Sequence, residues 1–492
     1  MSRIPYGSVL TRLAAADPER TALVCAGETL SRAGLEARAN RLARAFEAQG
    51  VGPGDLVSLA LPNSIGLVSG CIAAWKLGAV PNPLSHRLPA PEREKILVRA
   101  RPKLTLGCEP PPGAHGLPAD FEPGSEISDA ALSGAERRIP PHERALASGG
   151  STGLPKLILP ASPGVYDDEQ PSRLFTARNA MLVPGPVHHA APFSACFQAL
   201  LGGATVVLME RFDAARCLGL VERHRIDRMV VVPTMMLRIW RLPEPERIAC
   251  DVSSLEFVMT GGAPCPVWLM RAWIGWLGPD VLHEAFGPSE RIGGTFITGH
   301  EWLEHPGSVG RPLPGTTLEI RDPETGRPLP PHEMGEIWAL PSGGPGSTYR
   351  YLGARGRRSA DGFETVGDMG RLDEEGYLYL GDRRSDMILV GGRNVYPAEI
   401  EGALEEHPSV RSACVIGLPD DELGQRIHAL VESHAALDAA ALRAHLLERL
   451  AGYKVPASFE RVDDPIRDDS GKVRRSRLRA ERLAGRSSGG AT

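Results

Sequence analysis

The sequence predicts an α/β protein: a large N-terminal domain of helix-covered, mostly parallel sheets plus a β-rich segment, then a small, mobile α+β domain. Three observations carry this expectation. Short apolar strands alternate with amphipathic helices as far as Phe286, the pattern of a parallel sheet covered by helices. Beyond about Gly310 the pattern changes to short strands joined by turns. After the charged turn Gly381–Asp386, a fresh α/β segment runs to about Leu478. At 492 residues the chain can support two or more hydrophobic cores.

Each element has a local cause. Ser31 is placed to cap a helix whose Leu35, Ala39, Leu42 and Phe46 share one face, and Gly50 stops it. The apolar run Leu56–Leu61 is a buried strand, and Gly66–Leu77 is a helix closed by Gly78. Strands follow at Ala204–Leu208, Arg228–Val232, Leu255–Met259 and Val281–Phe286. Helices lie between them at Asp213–His224, capped by Asp213, and at Pro266–Leu277. The β-rich segment contributes Thr317–Ile320, Glu336–Leu340 and Tyr377–Leu380. Trp268, Trp273 and Trp276 recur at near-helical spacing and are assigned to the core.

Composition excludes several classes. Lys and Arg total 55 against 60 Asp and Glu, a formal charge of −5, and no block of like charge would grip nucleic acid. No apolar run approaches the ~18 residues of a membrane span, and the first residues lack a signal-peptide core, so a cytoplasmic location is expected. The eight cysteines are scattered without a CxxC pair, which suggests reduced thiols rather than a zinc site or disulfide scaffold. Only six of the basic residues are lysines: Lys76, Lys95, Lys103, Lys156, Lys454 and Lys472. In so arginine-rich a chain, a retained lysine marks a place where a compact ammonium could be needed.

The segment Ser148-Gly149-Gly150-Ser151-Thr152-Gly153-Leu154-Pro155-Lys156 concentrates three glycines, three hydroxyls and a lysine ahead of an apolar strand. Converging backbone N–H groups, hydroxyls and an ammonium suit a polyphosphate, and the spacing is not that of a Walker loop. Ala147–Lys156 resembles the glycine-rich loop of the AMP-forming adenylating enzymes, with Ala147 where a hydroxyl is usual. The resemblance continues in order through the chain. Gly261-Gly262-Ala263-Pro264 looks like the family's adenine-side loop, and Glu284–Glu290 like its E-x-Y-G-x-T-E, with Phe286 for Tyr and Ser289 for Thr. Gly307–Pro312, Val366-Gly367-Asp368, Asp382-Arg383, Gly391–Glu401 and Ser470-Gly471-Lys472 match further family motifs.

That resemblance implies roles. Ser148, Gly149, Gly150, Ser151, Thr152, Gly153 and Lys156 would hold the phosphates of ATP; Thr152 and Glu290 would place Mg²⁺. Gly262, Ala263, Pro264, Phe286, Gly287 and Ser289 would surround the adenine side, with Phe286 stacking on the base. Asp368 would accept both ribose hydroxyls and Arg383 would donate to ribose or phosphate. Lys472 would bridge the substrate carboxylate and the α-phosphate. His189 would gate an acid pocket lined by Phe193, Phe197, Gly262 and Gly287. The large domain would span residues 1–382 and the small one 383–492, turning about Ser385 to bring Gly391 and Gly392 to the thioester step.

The reaction so implied is that of an acid–CoA ligase, using ATP, Mg²⁺ and CoA on a small-molecule carboxylic acid; a homodimer is one open arrangement. A second reading keeps adenylation but passes the adenylate to a carrier-protein thiol, an amine or an inorganic nucleophile. Phe193–Phe197 supplies no Asp for an α-amino group, which argues against amino-acid substrates. A luciferase-like oxygenase or a nucleotide sensor forms a third class; the sensor is disfavoured by the retention of Lys472, Glu290 and Asp368.

Overall fold

Helix Ile65–Lys76 is apolar all round, and every residue in it except Gly66 is buried, as expected of a segment with no polar face. Trp75 near its end gathers the rings of Tyr6, Phe193 and Phe197 at 4.8, 6.0 and 4.7 Å. One apolar cluster joins this helix to strands of two sheets, among them Val57, Leu59, Leu104, Leu23, Met181 and Val206. Lys76 is sealed in the same region with its Nζ 2.8 Å from Glu36 and 3.0 Å from Thr11, so this retained lysine is structural. The computed structural model describes residues 3–148, 156–172, 174–433, 436–468 and 471–488.

The first sheet has four parallel strands in the order Val80–Pro83, Leu56–Leu59, Leu104–Leu106, His115–Leu117. The second has nine, and its central strands Thr21–Cys25, Thr205–Leu208, Ala180–Val183, Arg228–Val231, Phe257–Gly261 and Leu282–Phe286 are all parallel. The expected caps are present. Ser31 Oγ accepts from Gly34 N ahead of Arg32–Ala48, and Asp213 accepts from Arg216 N ahead of Ala214–His224. One strand is displaced: Phe257–Gly261 starts two residues later than expected, because Leu255 N is turned back to Val252 O. Trp273 is fully buried as expected, whereas Trp268 and Trp276 only pack partly against the same cluster.

A six-stranded antiparallel sheet follows, including Thr316–Arg321, Gly335–Pro341, Asp368–Leu372 and Leu378–Arg383. The chain leaves that sheet at Arg383 and enters a five-stranded sheet at Ile388. Helices Pro397–Glu406 and Ala439–Leu447 pack beside it around a separate cluster of Val395, Ile400, Leu404, Val415, Ile427 and Leu446.

Candidate active site

Two neighbouring parallel strands set the floor of a cleft. Phe257–Gly261 and Leu282–Phe286 run in register, Gly261 opposite Ala285, so their following loops emerge at one sheet edge. Loops beyond the carboxyl ends of parallel strands are the usual place for ligands in such sheets. A Cβ on Gly261 would lie 2.3 Å from Ala285 O, and Gly262 has φ +81°, so this close turn requires glycines. Gly262, Ala263 and Pro264 from the first loop line the cleft with Phe286, Gly287, Ser289 and Glu290 from the second. The cleft volume is about 3890 Å³, far beyond the ~300–1,000 Å³ that one small ligand fills, so two substrates fit together.

Glu290 is buried and belongs to a tight polar group. Lys156 opens strand Lys156–Pro160, which pairs with Tyr349–Leu352 and so faces Tyr351 toward the lysine. Lys156 Nζ lies 2.6 Å from Tyr351 Oη and 3.3 Å from Glu290 Oε1, and the Tyr351 hydroxyl donates to the same carboxylate oxygen. Burial first, then the Glu290 charge, pushes the Tyr351 phenol far above its ordinary range. Tyr351 was not singled out in the sequence, because nothing in Tyr349–Leu352 marks one tyrosine over another. The expected phosphate loop Gly149–Gly153, with Thr152 as a metal ligand, and the Ser148 side chain lie outside the described residues. Among the described residues no cluster of three His, Cys, Asp or Glu could hold a metal alone. A single buried carboxylate at the cleft suits Mg²⁺ leaning on substrate phosphates.

Asp368 and Arg383 sit opposite each other on adjacent antiparallel strands, and Arg383 Nε donates to Asp368 Oδ1 at 3.1 Å. Burial raises the Asp368 carboxyl, and the arginine charge opposes that shift. Lys472 stands on a tight loop in which its N–H donates to Asp468 Oδ1 at 3.0 Å and Gly471 has φ +79°. A Cβ on Gly471 would fall 2.6 Å from Thr234 Oγ1, so the loop is pressed against the large domain. Burial lowers the Lys472 ammonium; Asp468 and Glu290 oppose this while Arg383 adds to it. His189 begins helix Ala190–Leu201, and burial, the Lys472 charge and His188 hold it well below the usual histidine range, so it is neutral.

Lys472, Arg383, Asp368, Glu290, Lys156, His189 and Phe286 therefore share one cleft. Other expected residues do not. Phe193 and Phe197 are 2% and 1% exposed and pack on Trp75 instead of lining a pocket. The reason is helical phase: Ala190–Leu201 turns Ala190, Ala191, Ser194 and Gln198 to the cleft and its phenylalanines to the core. Gly391 and Gly392 form an exposed turn between Ile388–Val390 and Arg393–Val395, away from the cleft wall. Glu284 lines the cleft and burial pushes it up to about 8, a perturbation that only the fold reveals.

Near Ser385 a dense ionic group ties the domains. Asp382 Oδ2 accepts from Ala398 N at 2.6 Å, while Arg475 lies 3.7 Å from Asp382, 3.4 Å from Asp386 and 2.7 Å from Glu401. Across the domain contact, Arg241 donates to the carbonyls of Arg411 and Glu405 at 2.6 and 2.8 Å.

A lysine beside a buried carboxylate, an aspartate–arginine pair and a second-domain lysine thus line one cleft. The AMP-binding enzyme family matches residues 10–352, and the AMP-binding enzyme C-terminal domain matches residues 399–472. The chain is 32% identical over 491 residues to a feruloyl-CoA synthase of an Amycolatopsis species, covering 96% of this chain and 98% of that one. It is 31% identical to a fatty acid–[acyl-carrier-protein] ligase of Streptomyces coeruleorubidus, covering 94% and 93%. The o-succinylbenzoate CoA synthetase of Bacillus subtilis, solved with its acyl-adenylate intermediate, superposes with a TM-score of 0.78 at 28% identity over 97% of this chain and 98% of that one. The chain belongs to the AMP-binding enzyme family. It is an AMP-forming ligase.

Proposed function

We propose that the protein is an ATP-dependent acid–CoA ligase acting on a small carboxylic acid. The observation that carries this is the convergence of Lys472 and Arg383 from the second domain with Glu290 and His189 of the first, in a cleft with room for nucleotide and acid. A carboxylate oxygen attacks the α-phosphorus, and pyrophosphate leaves with the electron pair of the broken P–O bond. Lys472 offsets negative charge between carboxylate and α-phosphate, Lys156 holds the leaving phosphates, and Asp368 accepts from the ribose hydroxyls. Neutral His189 closes the acid side without adding a further cation to Lys472 and Arg383. When bound, Mg²⁺ would be held by Glu290, with Thr152 as the expected second ligand, and would supply charge neutralisation for the phosphates.

The thioester step uses the other state of the same two domains, 1–382 and 383–492. Rotation about Ser385 withdraws Lys472 and brings Gly391 and Gly392 toward the cleft, where the CoA thiolate attacks the acyl carbon and AMP departs. Exposed Ser385, between the strand ending at Arg383 and the one starting at Ile388, supports this reading. No helix among the described residues is long and apolar enough to cross a membrane. The similarity to an acyl-carrier-protein ligase favours one alternative, transfer to a carrier-protein thiol. Pyrophosphate release over a panel of carboxylic acids, with and without CoA, tests the reading. Acid-dependent pyrophosphate together with CoA consumption is expected; pyrophosphate without CoA consumption would move the acceptor to a carrier protein.

A further inference from the structure

Helix Pro233–Trp240 of the large domain meets the second domain at both ends. At its first turn, Thr234 lies so close to Gly471 that a Cβ there would fall 2.6 Å from Thr234 Oγ1. Just past its last turn, half-buried Arg241 sends both Nη atoms across the domain contact, Nη1 to Arg411 O at 2.6 Å and Nη2 to Glu405 O at 2.8 Å. The two contacts are seven residues apart, ~10.5 Å along the helix. A domain held at two points so far apart resists pivoting on either one.

The acceptors suit an arginine. Glu405 O belongs to the last turn of helix Pro397–Glu406, where carbonyls lack a donor within the helix and the helix dipole is negative. Arg411 O lies just ahead of strand Ser412–Asp420. A planar fork reaches two such carbonyls at once, which a single ammonium does less well. The gripped helix end is tied in turn to the lysine loop. Arg467 Nη2 reaches Glu401 Oε2 at 3.1 Å, Glu405 Oε1 at 3.4 Å and Ala413 O at 3.1 Å, and its Nη1 donates to Gly471 O at 3.3 Å. Gly471 is the residue before Lys472. An ion pair across the same contact, Arg474 to Glu92 at 2.9 Å, is partly exposed on both sides and contributes little.

We propose that Arg241 is a positioning residue for adenylation: it clamps the end of helix Pro397–Glu406 and, through Arg467, fixes the Lys472 loop at the cleft. This rests on the adenylating role of Lys472 proposed above. Arg241 acts without touching the substrate, by raising the share of molecules in which the lysine is in place. The clamp belongs to this arrangement of the domains and does not serve the thioester step.

The test is a double-mutant cycle read in single turnover. Arg241→Gln should slow acid-dependent pyrophosphate release by roughly 10- to 30-fold, with the ATP concentration for half-maximal rate changed less than about threefold. Thioester formation from supplied acyl-AMP and CoA should stay within about threefold of the unmodified enzyme. In a Lys472→Ala background the same change should cost less than about threefold more, since no ammonium remains to be placed. Arg241→Lys, which keeps the charge but loses the fork, should fall between. Full additivity with Lys472→Ala overturns the proposal while leaving the ligase reading intact. So does a loss shared equally by both half-reactions in a folded Arg241→Gln protein, or no loss at all. If that variant does not fold, Arg241→Lys carries the same cycle. Should no acid release pyrophosphate, or should Lys472→Ala cost nothing, the earlier reading falls instead, and hydrogen exchange decides the clamp. Arg241→Gln should then speed exchange in segments 233–241 and 402–411 together, and an unchanged 402–411 segment refutes it.

Discussion

Replacing Lys472 by alanine separates the two half-reactions. The Lys472 side chain is exposed to the open cleft, with Glu290 and Arg383 within electrostatic reach. A unit charge about 4 Å from developing negative charge contributes about 4 kcal/mol at an effective dielectric constant near 20. Water in the open cleft weakens this to ~2.7 kcal/mol, or about a 10²-fold effect on adenylation. Lys472→Ala should therefore slow pyrophosphate release from acid and ATP by that factor, measured in single turnover. Thioester formation from supplied acyl-AMP and CoA should change less than about threefold, because the proposed rotation would lift the lysine loop off Thr234, against which it is pressed here. Lys472→Arg should recover adenylation poorly, since a planar fork replaces a compact point charge. Equal loss in both half-reactions would refute this division of labour.

Asp368→Ala removes the proposed acceptor for the ribose hydroxyls and should raise the KM for ATP, with charge-assisted bonds of ~1.5–3 kcal/mol each at most; an unchanged ATP dependence would show that Asp368 lies off the nucleotide. Ser385→Pro fixes φ near roughly −65° at an exposed position between two sheets, so ATP–pyrophosphate exchange should persist while CoA-dependent turnover falls by orders of magnitude; intact CoA turnover would place the hinge elsewhere. Glu284 titrates near 8 in the folded chain because it is buried, well above a solvated carboxylate. The native state then binds the extra proton between about pH 4.5 and 8, so stability is fully present below that window and declines as pH rises through it. Glu284→Gln should remove on the order of 2–4 kcal/mol of this decline, seen as a melting-temperature advantage over the parent that grows from pH 5 to pH 8; a constant difference across that range contradicts the buried-acid account.

Local signals sufficed where one stretch of chain makes its own structure. Ser31 and Asp213 cap helices through hydroxyl and carboxylate groups only three residues from the amides they satisfy. The ordered motifs around Gly262, Phe286, Glu290, Asp368 and Lys472 were legible for a similar reason: glycines at tight turns and charged residues beside them leave a pattern in the chain. The expected large–small division could be drawn from the change of pattern after Gly381. Phe193 and Phe197 were misassigned because a run of apolar residues after His189 does not say which helical face meets Trp75.

What the sequence determined by itself is the α/β class, the order of the main elements and a set of candidate residues for handling a nucleotide, because capping, periodicity and turn chemistry act over a few residues. Tertiary structure alone decided which of those residues meet. Tyr351 joined Lys156 and Glu290 through strand pairing, and Arg291 came from a distant segment to share Glu143 with its neighbour Arg144. Burial likewise decided which groups keep their charge: it leaves His189 neutral and Glu284 protonated at neutral pH. Water exclusion is a property of the packed assembly and is not encoded at any single position.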